Sequence, residues 1–300
     1  MTQTKTSLKD VQADINSFSA TSRFKAAIHH WPSLMRHCIL MITVLVVIFP
    51  FLWILSASFK RQIDLLLGKV FFDPTLSSYI DVLFSRTSDF VRNFANSIII
   101  GSSSTVLVLA IATLAAFSLY RMRWPSWVLH TVLGWSIVFH MIPPITLAGA
   151  WYGMFRAIGL DNTHLGIILA HITLHLPMAL WMMGVFIRDV PKDLLEAATI
   201  DGAHTGGVLW HVVLPIVKPG LAATGILTFI FSWNEFPVVL TLSERATATV
   251  PIGIGKYAQE NTIAFTQMAA ASMLSIIPAT ILLIVAQRLI VRGLTSGALK

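Results

Sequence analysis

A single cysteine, Cys38, is the entire thiol content of this 300-residue chain. That excludes a disulfide within the chain and any metal site built on several cysteines. Charge is scarce as well. Asp, Glu, Lys and Arg make up 12% of the residues and hydrophobic types 55%, whereas an ordinary soluble domain carries roughly 25% charged residues. So much apolar surface cannot be hidden inside a solution fold of this length, and lipid is the solvent that accepts it. Acid is the scarcer sign, 14 residues against 21 basic ones, which leaves a formal net charge of +7. The excess does not indicate nucleic acid, because the Lys and Arg residues lie in the tails and between long neutral runs instead of along one stripe. Basic residues gathered at the ends of apolar spans are what membrane insertion selects.

Catalytic patterns are missing too. A phosphate-cradling loop needs G-x-x-x-x-G-K-[ST]; the nearest fragment, Gly255-Lys256, is broken by Val250 and Tyr257. Neither a His-Glu-x-x-His metalloprotease pattern nor a nucleophile elbow occurs. His171 and His175 stand four apart on one helix face, but no third ligand stands nearby, so they read as hydrogen-bonding groups inside a bundle. The expectation is no catalytic residue, no metal site and no cofactor bound by this chain.

What the chain does have is long uncharged runs. A bilayer core about 30 Å thick takes about 20 apolar residues of helix. Six candidate spans meet that length, between Arg36 and Lys60, Arg92 and Arg121, Arg123 and Arg156, Asp161 and Arg188, Lys218 and Glu244, and Glu260 and Arg288. Spanning strands need only about 10 residues and alternate in polarity. The fold expected is therefore an all-α polytopic membrane protein of six transmembrane helices. Residues 1–36 form an N-terminal tail, and residues 37–300 the transmembrane domain. The first span lacks a small-residue cleavage site and is too long for a signal-peptide core. With the N-terminus inside, thirteen basic residues face the cytoplasm and eight face out, which places both termini in the cytoplasm.

Two features break this apolar monotony. The fifth span carries Trp233-Asn234-Glu235-Phe236-Pro237, with Glu235 as its only charge. A carboxylate at mid-span costs about 2.5–3.5 kcal/mol on insertion scales, so it needs a partner, a proton or a watery cavity. Aromatic faces beside a carboxylate and an amide suit a polyhydroxylated ligand, and bracing of the bundle by Glu235 is the equal alternative. Prolines also interrupt spans at Pro50, Pro143, Pro144, Pro177, Pro237 and Pro278; each removes a backbone donor, and Pro237 is the best placed to line a hydrated pathway.

The second feature is a long segment between spans four and five, at 188–218. Its first half reads as a short helix, with Asp189 as cap, Pro191 at the first helical position, an apolar strip of Leu194, Leu195 and Ala198, and a stop at Gly202. Its second half, 208–214, reads as another helix ahead of Pro215, so the whole makes a knob.

The run Glu196-Ala197-Ala198, three residues, Gly202, nine residues, Val212-Val213-Leu214-Pro215 resembles the EAA loop of ABC importer permeases, with Val212 where the family has Ile. The resemblance implies a type I ABC importer permease fold. It implies that Glu196, Ala197, Ala198, Asp201, Gly202, Leu214 and Pro215 couple to a separate ATPase. Gly206 and Gly207 depart from the bulkier residues of many members, which predicts a looser docking helix. Trp233, Asn234, Glu235 and Phe236 resemble the fifth-helix motif of carbohydrate permeases. The ending at 292–300, Arg-Gly-Leu-Thr-Ser-Gly-Ala-Leu-Lys, is similar to that of maltose-type sugar permeases, as is the Ser58-Phe59-Lys60 exit. The implied setting is a bacterial inner membrane. The implied partners are a second homologous permease in a heterodimer, two ABC ATPase subunits holding ATP and Mg, and an extracytoplasmic solute-binding protein. An importer of the same architecture for a glycerol phosphoester or an amino acid is the alternative, and a stand-alone carrier or membrane enzyme the rival of another class.

Overall fold

The computed structural model describes residues 33–258 and 263–297, and every regular element in them is helical. The chain divides into two units, Met1–Ile54 and Leu55–Lys300. In the first unit runs most of α1 (Ser33–Ser58), which carries Pro50 without stopping. Its side chains from Met35 to Trp53 are exposed almost without interruption. A helix so apolar and so open is stable in lipid and not in water, because in water each exposed Leu, Ile or Val forgoes about 1.5–3 kcal/mol of burial.

The second unit is built on α4 (Phe90–Arg121) and α7 (His164–Arg188), its most extensive helix pair. Close approach is permitted by Gly184, where an added Cβ would stand 2.8 Å from the Tyr120 ring. Two short helices, α2 (Gln62–Leu66) and α3 (Ser77–Phe84), precede α4. Helix α11 (Lys218–Trp233) packs on both α4 and α7 and on α14 (Phe265–Gly297), which contains Pro278. At 32 residues, α4 is about 48 Å long, well beyond the hydrocarbon thickness.

Helices α1, α4, α7 and α14 each have the length and apolar composition to cross a bilayer unbroken. The other two candidate spans are interrupted. The third is α5 (Ser126–His140) and α6 (Pro144–Ala157), set 96° apart. Pro144 opens α6 at N1, where its missing N–H deprives the helix of nothing. The fifth stops at Trp233 and resumes as α12 (Pro237–Leu242), again with proline at N1. The apolar run between Lys218 and Glu244 predicts one span, whereas the helix is broken inside it. The sixth helix is described only from Phe265. The side chains of the family-like ending at 292–300 and the tail up to residue 32 lie outside the described residues.

At the end of the bundle away from the 188–218 loop, polar side chains on α4 hold the loop that precedes α13 (Val250–Gly255). The Asn96 amide donates to the carbonyls of Ala246 and Ala248, both at 2.9 Å, and Ser97 Oγ accepts from the Val250 amide at 2.8 Å. Asp89 takes the Arg245 guanidinium at 2.8 and 3.1 Å. The basic loop after α1 is held by one buried carboxylate. Asp64 accepts from Lys69 at 2.7 Å and from Arg61 at 2.9 Å, and Lys60 Nζ donates to the Lys69 carbonyl at 2.6 Å.

The hydrogen bonds from Lys69 and Arg61 hold the Asp64 carboxyl below its usual range. A carboxyl so lowered stabilises the fold above its unfolded value, and that contribution disappears as pH falls through the folded value. Thermal unfolding of the detergent-solubilised protein, followed from pH 7 down to about pH 3, spans the ordinary aspartate range near about 3.9. Asp64→Asn is expected to lower the midpoint at pH 7 and to flatten the acid limb. An unchanged acid limb would exclude this carboxylate as the loop's anchor.

Candidate functional site

The 188–218 segment folds as a knob at one end of the bundle. Helix α8 (Lys192–Ile200) begins one residue after Pro191, which stands at N-cap and not at N1; Asp189 ends α7 and does not cap α8. The stop falls where expected. Gly202 has φ +84°, the Ala203 amide donates to Ala198 O at 2.9 Å, and the Gly202 amide donates to Thr199 O at 3.1 Å. These two bonds define the Schellman termination, which satisfies carbonyls the helix leaves open. A left-handed φ of this kind strains any residue with a Cβ.

The second half of the knob is continuous but irregular. Helix α9 (Thr205–Val208) passes through a π-helical turn, Leu209–Val213, into α10 (Leu214–Ile216). Pro215 thus lies inside this stretch and not after it. A proline in a regular helix would press its ring on the carbonyl four residues back, here that of His211. The wider turn, closed by the Leu214 amide on Leu209 O, relieves that contact. Added Cβ atoms at Gly206 and Gly207 would meet the His204 ring at an ordinary 3.4 Å, so crowding does not demand glycine at either position.

The knob has two faces. Leu195, Ala198, Ala203 and Leu214 pack on a core formed by Val208, Leu209, Val213 and Val217 with the adjoining ends of α4 and α7. Glu196, Ala197, Asp201, Gly202 and Pro215 face outward. With them stand Leu194, 47% exposed, Ile200, 86% exposed, and Trp210, 68% exposed. Of the apolar strip expected on α8, Leu195 and Ala198 turn inward and Leu194 outward. Ile200 was not singled out from the sequence, since nothing local distinguishes an outward isoleucine from a core one.

Arg121, at the end of α4, is a second residue that nothing in the local sequence distinguishes. Its guanidinium donates to the Ile187 carbonyl, to Arg188 O at 3.1 Å and to Val190 O at 2.5 Å. One side chain thereby joins the last two carbonyls of α7 to that of Val190 and ties the base of the knob to α4. A cation is favoured at a helix C-terminus, and here all three contacts come from one terminal nitrogen, Nη2.

The break between α11 and α12 assembles the other candidate residues. Glu235, 8% exposed, turns its carboxylate onto the start of α12: Oε1 accepts from the Val238 amide and Oε2 from the Val239 amide, both at 3.0 Å. This answers the question posed by the lone acid in the span, since two amides that would otherwise lack partners at the new helix start receive them. The partner is backbone, not a cation; His171 Nε2 lies 3.8 Å from Oε2. Trp233 is buried, stacked on Phe229 at 5.7 Å and edge-on to Phe94 at 5.5 Å. Asn234 and Phe236 are exposed, as is Phe231 one turn earlier. The Asn234 amide donates to Ile230 O at 2.8 Å. Of the four predicted residues, two therefore face the bundle and two face away from it. The His171 and His175 rings meet edge-on at 5.6 Å, and among the described residues no cluster of three or more His, Cys, Asp or Glu forms a cation site.

If Glu235 is the cap of α12, its removal should register as lost stability. Glu235→Ala leaves both amides unpaired and is expected to cost about 0.5–2 kcal/mol, while Glu235→Gln, keeping one acceptor, should lose less. Thermal unfolding of the purified protein measures this order, and equal stability of all three proteins would remove the capping role.

Residues 108–296, which contain the knob and the break, match the family described as binding-protein-dependent transport system inner membrane component. The chain is 34% identical over 255 residues to the trehalose transport system permease protein SugB of Mycobacterium tuberculosis, covering 84% of this chain and 92% of that one. It is 35% identical over 262 residues to the trehalose/maltose transport system permease protein MalG of Thermococcus litoralis, covering 85% and 92%. The fold is that of a chain in a bacterial ABC transporter involved in the import of the acidic polysaccharide alginate, at TM-score 0.72 and 23% identity over 85% of this chain and 95% of that one. By its sequence match and by its fold, this chain belongs to the inner membrane permease components of binding-protein-dependent transport systems.

Proposed function

We propose that this permease imports a sugar or sugar derivative by alternating access, driven by ATP hydrolysis on two separate ABC ATPase subunits that hold ATP and Mg. It pairs with a second homologous permease and receives substrate from an extracytoplasmic solute-binding protein. The substrate class is supported by the relatives named for trehalose and maltose transport and by the alginate importer whose fold it shares. Six crossings follow if the α5–α6 pair and the segment interrupted at 234–236 each count as one. Both termini then lie in the cytoplasm, and the knob projects toward the ATPases.

The observation that carries this reading is the division of the knob into a fastened face and an open apolar one. Leu195, Ala198 and Arg121 fix it to α4 and α7, while Leu194, Ile200 and Trp210 remain outside any core of the second unit. Glu196, Ala197, Asp201 and Gly202 shape the leading edge that enters a cleft of the ATPase, with Ala198 behind them on the fastened face, and Leu214 and Pro215 join the knob to α11. Small residues at that edge let the partner approach, and the surrounding apolar side chains exclude water from any pairing of Glu196. At the other end of α11, Asn234 and Phe236, with Phe231, present an amide and aromatic faces to the substrate route. Trp233 and Glu235 hold them there from behind.

Gly202→Asp is expected to reduce binding-protein-stimulated ATP hydrolysis at least tenfold while the assembled complex is still recovered. In a Cys38→Ser background, Ala203→Cys should be labelled by an impermeant thiol reagent only from the cytoplasmic side. Coupled hydrolysis within twofold of the parent, or labelling from outside, would overturn the coupling role. The sugar itself is found by thermal stabilisation of the partner binding protein across a saccharide panel; stabilisation by amino acids or phosphoesters alone would overturn the substrate class.

A further inference from the structure

Where α4, α7 and α11 meet, just before the break, three buried side chains form a continuous hydrogen-bonded row. Ser104 Oγ donates to Ile100 O at 2.5 Å and lies 3.1 Å from Ser232 Oγ, which lies 2.6 Å from His171 Nδ1. Ser104 and His171 are fully buried and Ser232 nearly so. One arrangement of hydrogens makes every contact a bond. The Ser104 hydroxyl is committed to Ile100 O, so Ser104 must accept from Ser232, and Ser232 must accept from a proton on His171 Nδ1. The opposite tautomer would turn the Ser232 hydrogen toward His171 and leave two oxygens facing each other at 3.1 Å with no proton between them. Buried polar groups of this kind are costly unless satisfied; the row satisfies both hydroxyls and Nδ1, while His171 Nε2 at its end is buried without a hydrogen-bond partner, 3.8 Å from Glu235 Oε2.

From this row we infer that Ser104, Ser232 and His171 are positioning residues for the turn at 234–236. Each contributes from a different helix. Ser232 is the penultimate residue of α11, two before Asn234, so its bonds on two sides fix the rotation of the last helical turn. With that rotation set, Trp233 points into the core between Phe229 and Phe94, and Phe231 and Asn234 point out. Rotation by one residue, about 100° in a helix of 3.6 residues per turn, would carry Trp233 out of the core. On the far side of the break Glu235 holds α12 through the amides of Val238 and Val239. The turn is thus clamped from both sides, by side chains before it and by a carboxylate after it. This inference rests on the proposed role of Asn234 in contacting substrate for its functional consequence, but not for its geometry.

The test uses the full chain in complex with its permease and ATPase partners, nucleotide-free, in the Cys38→Ser background. Reporter cysteines are introduced singly as Asn234→Cys and Trp233→Cys, and their labelling rates with a small methanethiosulfonate reagent are compared. In the otherwise unaltered chain Asn234→Cys should react at least tenfold faster than Trp233→Cys. Adding His171→Leu or Ser232→Ala should compress that ratio to about threefold or less. His171→Asn, whose side-chain amide can donate from about the position of Nδ1, should restore it. Thr173→Val, an exposed change on the same helix, should leave the ratio as it was. Should His171→Leu fail to assemble, the smaller truncation at Ser232 decides. A ratio undiminished by Ser232→Ala, or diminished equally by His171→Asn and His171→Leu, overturns the clamp. The substrate role is read separately, from the KM of Asn234→Ala for the saccharide selected by the binding protein. An unchanged KM would overturn that role and leave the labelling ratio, and the clamp, standing.

Discussion

A helix that stops inside a bilayer exposes amides and carbonyls that lipid cannot satisfy, each at a cost of several kcal/mol. The stretch from Lys218 to Leu242 stops and restarts nonetheless, and the Glu235 carboxylate is what makes that possible. It closes the amides of Val238 and Val239, which in the first turn of α12 have no helical carbonyl to bond. Around this pairing the neighbouring residues take their places: Trp233 and Ser232 inward, Asn234 and Phe236 outward. A charge that looks expensive in the sequence is, in the fold, the element that keeps an interrupted span intact.

The knob and the break are the two ends of one helix. Val217, buried in the core beneath the knob, leads directly into α11, and α11 ends at Trp233. Its 16 residues make a rod about 24 Å long. Packed cores transmit displacement because they are dense and have few alternative arrangements. A movement imposed on the knob therefore reaches the break through a rigid element, provided the knob does not flex at its base. Arg121, across the carbonyls of Ile187, Arg188 and Val190, removes that freedom. The permease so described has a stiff connection between the surface proposed to meet the ATPases and the turn proposed to meet the sugar.

Much of this was legible before any coordinates. The uncharged runs identified the helices, since no other structure satisfies so long an apolar backbone in lipid. Gly202 marked the end of α8 because a tight left-handed stop favours glycine, and the Glu-Ala-Ala, Gly, Leu-Pro spacing pointed to the family. Errors arose where local rules compete. Asp189 fits a cap and Pro191 a first helical position, whereas the structure uses Pro191 at N-cap and Asp189 to end α7. Pro215 read as a terminator, yet a π-helical turn absorbs it. Pro143, Pro144 and Pro237 all signal an interruption, but not whether it is a kink or a restart; here α6 and α12 are separate helices.

Composition and spacing alone, then, determined an all-helical membrane protein with a protruding loop and one acid in a span, because burial and backbone satisfaction are dictated by residue type over short distances. That Glu235 would pair with the Val238 and Val239 amides depended on where the helix broke, and which of Leu194, Leu195, Ala198 and Ile200 would face outward depended on neighbours tens of residues away. So did the row joining Ser104, His171 and Ser232, and the reach of Arg121 to α7. Contacts between helices remote in sequence leave no periodic trace along the chain, and only tertiary packing brings those partners within bonding distance.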